Sequence, residues 1–133
     1  MLKIKSSAPA IPAQDVKRAR RFYEEKLGLK PDEEQPDGGA SYKTGETGFL
    51  VFQSTGKASG EHTQMALEVD DVPSAVRDLK DRGVKMEEYD YPNFKSHDGI
   101  VDTPDGGKGA WFKDSEGNLI ALTHRVTAAS RSN

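Results

Sequence analysis

The sequence predicts an α+β fold in which a unit of one strand, one helix and three further strands occurs twice. The first observation is an internal repeat, because the segment 13–30 matches 69–85 in the order Asp, Val, Ala and Gly. The second is a repeated glycine-containing hairpin, 42–52 and 112–122, in the same order along the chain. The third is a strand-like alternation of side chains in 64–69. Chance sharing of turn residues between two short α/β stretches is the alternative.

The first predicted helix begins at Asp15, whose carboxylate can accept from the free amides of the first turn. It ends at Gly28, which can adopt the left-handed conformation that closes helices. The apolar positions that form its buried stripe are Val16, Ala19, Phe22, Tyr23 and Leu27. The charged positions, which we expect to form a solvated face, are Arg18, Arg20, Arg21, Glu24, Glu25 and Lys26.

The second predicted helix begins at Asp71 and has Pro73 in its first turn, where a missing amide donor costs little. It ends at Gly83. Its apolar residues recur at helical spacing, three, four and seven positions apart, and are Val72, Ala75, Val76 and Leu79.

The strand over 64–69 alternates two sets of side chains. We expect Met65, Leu67 and Val69 to pack under a helix, and Gln64, Ala66 and Glu68 to lie on the other side of the sheet. The closing strands of the two halves are predicted at 48–53 and 118–123. Hairpin turns are predicted at 38–39, 44–48 and 114–118. The stretch 90–109 is predicted to be a long loop that is functional or mobile.

Length and composition favour a single domain of 133 residues, with module one over about 4–58, module two over about 60–124 and a flexible tail over 125–133. The chain has no cysteine, which excludes disulfides and thiolate metal sites. The net charge of −3 argues against a nucleic-acid partner. No apolar run approaches the ~20 residues of a membrane span, and no signal peptide is apparent, so we expect a cytoplasmic protein without a membrane partner.

Three stretches carry a family resemblance: DVKRARRFYEEKLGLKP, ALEVDDVPSAVRDLKDRGV and AWFKDSEGNLIAL. In this order they resemble the vicinal oxygen chelate superfamily, which includes glyoxalases, extradiol dioxygenases and bleomycin-resistance proteins. The resemblance extends from about Ala8 to Thr123. It implies two βαβββ modules whose mixed sheets curve around a cleft.

The resemblance also implies where a divalent metal is held, because many members use His, Gln or Glu from the first and last strand of each module. The matching positions here are Ala8, Val51, Gln64 and Ala121. Three of the four side chains have no donor atom, and a single neutral amide cannot hold a metal. A shift of one residue brings in only Ser7 or Thr63. The sequence therefore predicts no metal and no cofactor.

Small residues at Ala8, Ala10, Ala66 and Ala121 are expected to leave volume in the cleft. Ligand sites are concave and mostly apolar, with a few polar groups. The candidate ligand-binding residues are Tyr42, Phe49, Phe94 and Trp111 as walls and Gln64 and Glu68 as polar groups. Core packing is the alternative for the aromatic residues, and an exposed or ion-paired position is the alternative for Glu68.

His97 is the candidate catalytic residue, because an imidazole near Asp98, Asp102 and Asp105 can act as a general base. A solvated turn is the alternative for this cluster. His62 and His124 flank strands and are expected to face solvent.

These observations favour a metal-free small-molecule-binding protein that sequesters an apolar or aromatic compound and forms a homodimer. The alternative is an enzyme of the glyoxalase, dioxygenase or isomerase type, which requires a ligand set in another register or acid-base chemistry by His97 or Glu68. A regulatory or structural subunit is a third, weaker interpretation.

Overall fold

The computed structural model describes residues 2–124, and the chain forms two compact units. Unit 1 contains residues 2–59 and 114–118, and unit 2 contains residues 60–113 and 119–124. The predicted tail, 125–133, lies outside the described residues. Within residues 2–124, no helix combines the length and the apolar character that crossing a membrane requires.

Unit 1 contains a mixed four-stranded sheet in the order β1-β4-β3-β2. Strands β1 and β4 are parallel and the other pairs are antiparallel. Helix α1 begins after Asp15, whose side chain accepts from the Arg18 amide as predicted. The elements are β1 (Ala10–Ala13), α1 (Val16–Arg21), β2 (Pro31–Glu34), β3 (Ala40–Thr44) and β4 (Thr47–Gln53).

A π-helical turn, Phe22–Lys26, follows α1, whereas the sequence predicts one uninterrupted α-helix. Apolar spacing does not distinguish a single π turn from the α-helix that contains it. Tyr23 lies in this turn with none of its surface exposed. Its ring packs 6.0 Å from that of Tyr42 and 5.3 Å from that of Phe49, measured between centroids. These three aromatic rings form the centre of the unit 1 core.

Unit 2 repeats the plan with a second mixed sheet in the order β5-β10-β9-β8, in which β5 and β10 are parallel. The Asp71 side chain accepts from the Ser74 amide at the start of α2, which packs on β8, β9 and β10. The elements are β5 (Thr63–Glu68), α2 (Val72–Asp81), β8 (Ile100–Asp102), β9 (Lys108–Lys113) and β10 (Leu119–His124). The predicted α+β class and the repeated βαβββ order are confirmed.

The prediction of one long loop over 90–109 is wrong, because half of the residues in this stretch lie in strands or β-bridges. It contains a hairpin of β6 (Asp90–Tyr91) and β7 (Phe94–Lys95), and then β8. Asp98 and Gly99, at φ of 54° and 82°, form a tight turn closed by two hydrogen bonds between His97 and Ile100. Strands of two or three residues are too short to show alternation, so the sequence displays only their turn residues.

Residues 114–118 form a polar turn that belongs to unit 1. The Asp114 carboxylate is 6% exposed and accepts four hydrogen bonds. The Tyr23 hydroxyl donates to it at 2.6 Å, the Glu116 amide at 2.8 Å, and the amide and side-chain Nδ2 of Asn118 at 2.9 Å each. Burial and the adjacent Asp114 raise the pKa of Tyr23 well above its usual value. The sequence predicts this turn but not its role as a buried polar centre.

The charged face predicted for α1 is only partly solvated. Arg20 Nε lies 2.9 Å from Glu24 Oε2, and both side chains are more than two-thirds covered. The Tyr42 hydroxyl donates to the same Glu24 oxygen at 2.8 Å. Burial, together with this carboxylate, raises the pKa of Tyr42. Arg20 and Glu24 therefore belong to a half-buried network and not to a freely solvated surface.

Glu116 is expected to make the stability of the protein depend on pH. Hydrogen bonds from Arg18 lower the pKa of this carboxylate from 4.5 to about 2, and the side chain is only 2% exposed. A carboxylate whose pKa is lowered in the folded state stabilises the protein at pH values above its usual pKa. This stabilisation is lost as the pH falls towards 2. We expect Glu116→Gln to lower the free energy of unfolding by about 2 kcal/mol at pH 7. This value allows for the screening of the ion pair by solvent at the half-exposed Arg18 side chain.

Urea unfolding of the wild type and Glu116→Gln at pH 7, 5, 4 and 3 measures this effect. The difference in unfolding free energy should be constant above pH 5 and shrink below it. Glu33→Gln, on exposed β2, is the control and should leave the pH profile unchanged. A difference that stays the same down to pH 3 would contradict the assignment.

Candidate functional site

The candidate site is the face of the unit 2 sheet opposite α2. Strand register determines which side chains share that face, since paired residues point to the same side. Ala66 pairs with Ala121, and Ala121 pairs with Trp111. On the other face, the next row contains Met65, Ile120 and Phe112, all buried with at most 6% of their surface exposed. The row Ala66, Ala121 and Trp111 therefore lies on the open face, as the alternation of 64–69 predicts. On this face Ala66 is exposed and Trp111 is partly exposed, whereas Ala121 is covered, with 3% of its surface exposed, so the volume expected at Ala121 is filled.

An aromatic wall of Tyr89, Phe94 and Trp111 borders this face. The ring centroids lie 5.3 Å apart for Tyr89 and Phe94, 5.7 Å for Tyr89 and Trp111, and 5.3 Å for Phe94 and Trp111. At these separations the rings contact one another and leave no space between them for a guest. All three remain partly exposed, so the cluster presents a surface and not a cage.

Trp111 is held in place by a hydrogen bond and by a glycine. Its indole Nε1 donates to Thr63 Oγ1 at 3.1 Å. A Cβ at Gly109 would lie 3.0 Å from Cη2 and 3.3 Å from Cζ3 of the indole, so the ring lies over a position without a side chain. Gly109 is thus the residue that allows the indole to lie against the sheet.

Gly109→Ala is expected to displace the indole of Trp111. Its Cβ is too close to the ring for ordinary van der Waals contact, and overpacking of this kind costs about 1–3 kcal/mol. Loss of the bond to Thr63 should shift the indole N–H resonance, which is unique because the chain has one tryptophan. Gly56→Ala is the control, because its Cβ meets nothing closer than 3.5 Å. An unchanged resonance in Gly109→Ala would show that the indole is not packed on this glycine.

The polar groups of the face lie on β5. The register of β5 against β10 shifts between Leu119 and Ile120, so that Thr63 and Gln64 together oppose Leu119. The bulge leaves the Gln64 amide half-exposed, and no hydrogen bond to another described residue engages its side chain. Glu68 is exposed further along the same strand. The candidate site thus combines the exposed Ala66, an aromatic wall and two polar groups.

Tyr42 and Phe49, expected as walls of the site, lie in the core of unit 1. They pair across β3 and β4, are 1% and 3% exposed, and pack against Tyr23. Their rings contact Tyr23 of the helical segment, so they face the helix and not the opposite side of the sheet. The core alternative describes both residues, which belong to unit 1, whereas Trp111 belongs to unit 2.

The residues at the family's metal positions do not fit a metal. In unit 1, Tyr42 pairs with Phe49 across the hairpin of β3 and β4. The equivalent pair in unit 2 is Phe112 and Ile120, and its hairpin is one residue longer. The position that corresponds to Ala121 is therefore Leu50, and the expected Val51 points into the core. Neither side chain has a donor atom. Across residues 2–124, no cluster of three or more His, Asp or Glu side chains could hold an ion.

His97, the candidate base, occupies an exposed turn whose backbone pairs with Ile100. Its imidazole contributes slightly to the lowered pKa of Asp102, for which a hydrogen bond from Lys108 is the main cause. This arrangement matches the solvated-turn alternative. His97 lies outside β5, β9 and β10, the strands that form the open face.

Three residues of the site were not identified from the sequence: Thr63, Tyr89 and Gly109. The spacing of Tyr89, Tyr91 and Phe94 in a polar stretch is an aromatic signal that could have pointed to the wall. The contact of Gly109 with an indole two residues away has no sequence signature.

Two βαβββ units with mixed four-stranded sheets define a glyoxalase-like and bleomycin-resistance-like fold. The family model of the Glyoxalase/Bleomycin resistance protein/Dioxygenase superfamily matches residues 7–122, and the chain belongs to this superfamily. No curated protein matches the sequence.

Solved structures with the same fold include resistance and antibiotic-binding proteins. The bleomycin resistance determinant encoded on the transposon Tn5 has a TM-score of 0.70 and 21% identity, over 93% of this chain and 100% of that one. The fosfomycin resistance protein FosX from Listeria monocytogenes has a TM-score of 0.71 and 12% identity, over 98% and 99%. The antibiotic binding protein TnmS3 from Streptomyces sp. CB03234 has a TM-score of 0.64 and 22% identity, over 93% and 99%.

Proposed function

We propose that this chain is a metal-free small-molecule-binding protein that holds a planar aromatic compound on the open face of unit 2. The observation that carries the proposal is the partly exposed aromatic wall of Tyr89, Phe94 and Trp111 on the same face as the exposed Ala66. Trp111 lies on β9 and its indole donates to Thr63 on β5, two strands away, so the indole extends across β10. The partly exposed ring of Trp111 is the surface on which an aromatic guest can stack.

The exposed part of the face favours an aromatic guest because it is apolar. The methyl group of Ala66 is exposed, and a ring that contacts it can also stack against the indole of Trp111. An aromatic pair contributes ~0.5–1.5 kcal/mol beyond the area it buries. The half-exposed amide of Gln64 can donate to, or accept from, a polar substituent of the guest.

The donor set supports binding without metal chemistry. Leu50 and Ala121 replace groups that could coordinate an ion, and Gln64 is the only donor among the four family positions. Structural neighbours described as a bleomycin resistance determinant and an antibiotic binding protein lend support to sequestration as the role. We further propose that the chain acts as a homodimer, as expected from the family resemblance.

Titration with neutral aromatic compounds tests this function, with the Trp111 indole N–H resonance as the readout. We expect a saturable shift with a stoichiometry of one per chain for 2-naphthylmethanol and no shift for cyclohexylmethanol. By calorimetry, Trp111→Ala should weaken naphthylmethanol binding at least about tenfold, since it removes the wall.

Phe22→Leu, which alters a partly exposed aromatic residue in unit 1, is the control and should bind as the wild type does. Elemental analysis of the purified protein completes the test. One tightly held transition metal per chain, or equal binding by Trp111→Ala and the wild type, would overturn the proposal.

A further inference from the structure

Among the residues that the structure describes, the open face of unit 2 has one negative charge without an ion-pair partner. Its two charged side chains among the described positions of β5, β9 and β10 are Glu68 and Lys113. Lys113 Nζ lies 3.6 Å from Glu87 Oε1, so this cation is already paired. No described residue forms an ion pair or hydrogen bond with the Glu68 carboxylate. The face therefore offers one carboxylate that is available to a ligand.

The position of Glu68 fits a role at the far edge of the site from Trp111. Glu68 pairs with Thr123, and Thr123 pairs with Gly109, the residue over which the indole lies. The Glu68 carboxylate and the part of the indole that lies over Gly109 thus belong to the same row across the sheet, and β10 lies between them. A guest that stacks on Trp111 extends across Thr123 and brings its opposite end to Glu68.

We propose that Glu68 selects compounds in which a protonated amine extends from a planar aromatic ring. This inference rests on the proposed function and adds the charge of the ligand to it. The aromatic ring lies against Trp111 and the exposed Ala66, and the ammonium group donates to the Glu68 carboxylate. Since the guest covers part of the carboxylate, the hydrogen bond is charge-assisted and shielded from water, which strengthens it relative to a fully exposed pair.

The experiment compares three ligands that share one ring: 2-naphthylmethylammonium, neutral 2-naphthylmethanol and anionic 2-naphthoate. Each is titrated into the full chain at low salt, and the shift of the Trp111 indole N–H resonance gives its Kd. We expect the ammonium compound to bind about tenfold more tightly than the alcohol, as a charge-assisted hydrogen bond allows, and the carboxylate to bind most weakly. In 0.5 M NaCl the preference should shrink, because screening weakens the exposed part of the pair.

Glu68→Gln keeps the size and polarity of the side chain and removes its charge. In this variant the ratio of the Kd values for the alcohol and the ammonium compound should fall from about ten to about one. Glu46→Gln, at an exposed turn of unit 1, is the matched control and should retain the wild-type ratio.

The outcomes separate the two proposals. If the ammonium compound and the alcohol bind equally well, or if Glu68→Gln keeps the preference, selection by Glu68 is overturned while the binding function stands. If none of the three ligands shifts the resonance, the proposed function itself fails.

Discussion

Asp114→Ala is expected to lower the free energy of unfolding by about 3–5 kcal/mol. The substitution removes the acceptor of four hydrogen bonds, donated by the Tyr23 hydroxyl, the Glu116 amide and the two nitrogens of Asn118. Of these donors, only the Asn118 side chain keeps another acceptor in the part of the chain that the structure describes, the Pro12 carbonyl. A buried donor deprived of its acceptor costs about 1–3 kcal/mol, and such penalties are not fully additive. Domains of this size are stabilised by ~5–15 kcal/mol, so the loss is a large part of the total.

Urea unfolding monitored by circular dichroism measures the effect. Asp114→Asn is the informative second variant, because its remaining carbonyl oxygen can still accept from the two backbone amides. Its loss should fall between the wild type and Asp114→Ala. Asp32→Ala is the control, since its ion pair with Lys43 is exposed and contributes less than about 1 kcal/mol. Equal stability of Asp114→Ala and Asp32→Ala would disprove the role of this turn.

Phe112→Ala is expected to destabilise the protein by about 3–5 kcal/mol through a cavity in the unit 2 core. Phe112 has none of its surface exposed and pairs with Ile120 on β10, while Met86 forms a β-bridge to it. The cost combines the lost burial of the ring with the space left behind, which the adjacent sheet and helix fill only in part.

Thermal and urea unfolding of Phe112→Ala test the size of the cavity effect, and Phe112→Leu should recover more than half of the loss. Tyr91→Ala is the control, because that ring is 61% exposed and should change stability by no more than about 0.5 kcal/mol. Hydrogen exchange adds a spatial test: Phe112→Ala should lower protection first in β9 and β10, and Asp114→Ala first in β1 and α1. The reverse order would show that the two cores are wrongly assigned.

Local signals in the sequence account for the elements that were predicted well. Asp15 and Asp71 cap their helices as expected, and Gly28 and Gly83 adopt the positive φ that ends them. Capping and turn formation depend on a few neighbouring residues, so they can be identified without knowledge of the fold. The alternation in β5 likewise predicts the buried Met65 on the helix side.

The candidate site was predicted less completely, because faces of a sheet depend on register. Extending one hairpin by a single residue reverses which side chains face the core. For this reason Val51 was expected at a metal position, whereas the structure places Leu50 there. Tyr42 and Phe49 were expected at a ligand site for a related reason, since aromatic type alone does not distinguish a wall from a core.

The sequence by itself determined the repeated βαβββ order, the helix ends, the hairpin turns and the lack of a donor side chain at three of the family's four metal positions. These properties belong to residue type and short-range spacing. Only the tertiary structure decided that Gly109 supports Trp111, that a bulge exposes Gln64, and that residues 114–118 complete unit 1. Such contacts join residues distant in the chain, and their geometry follows from packing, which no local pattern encodes.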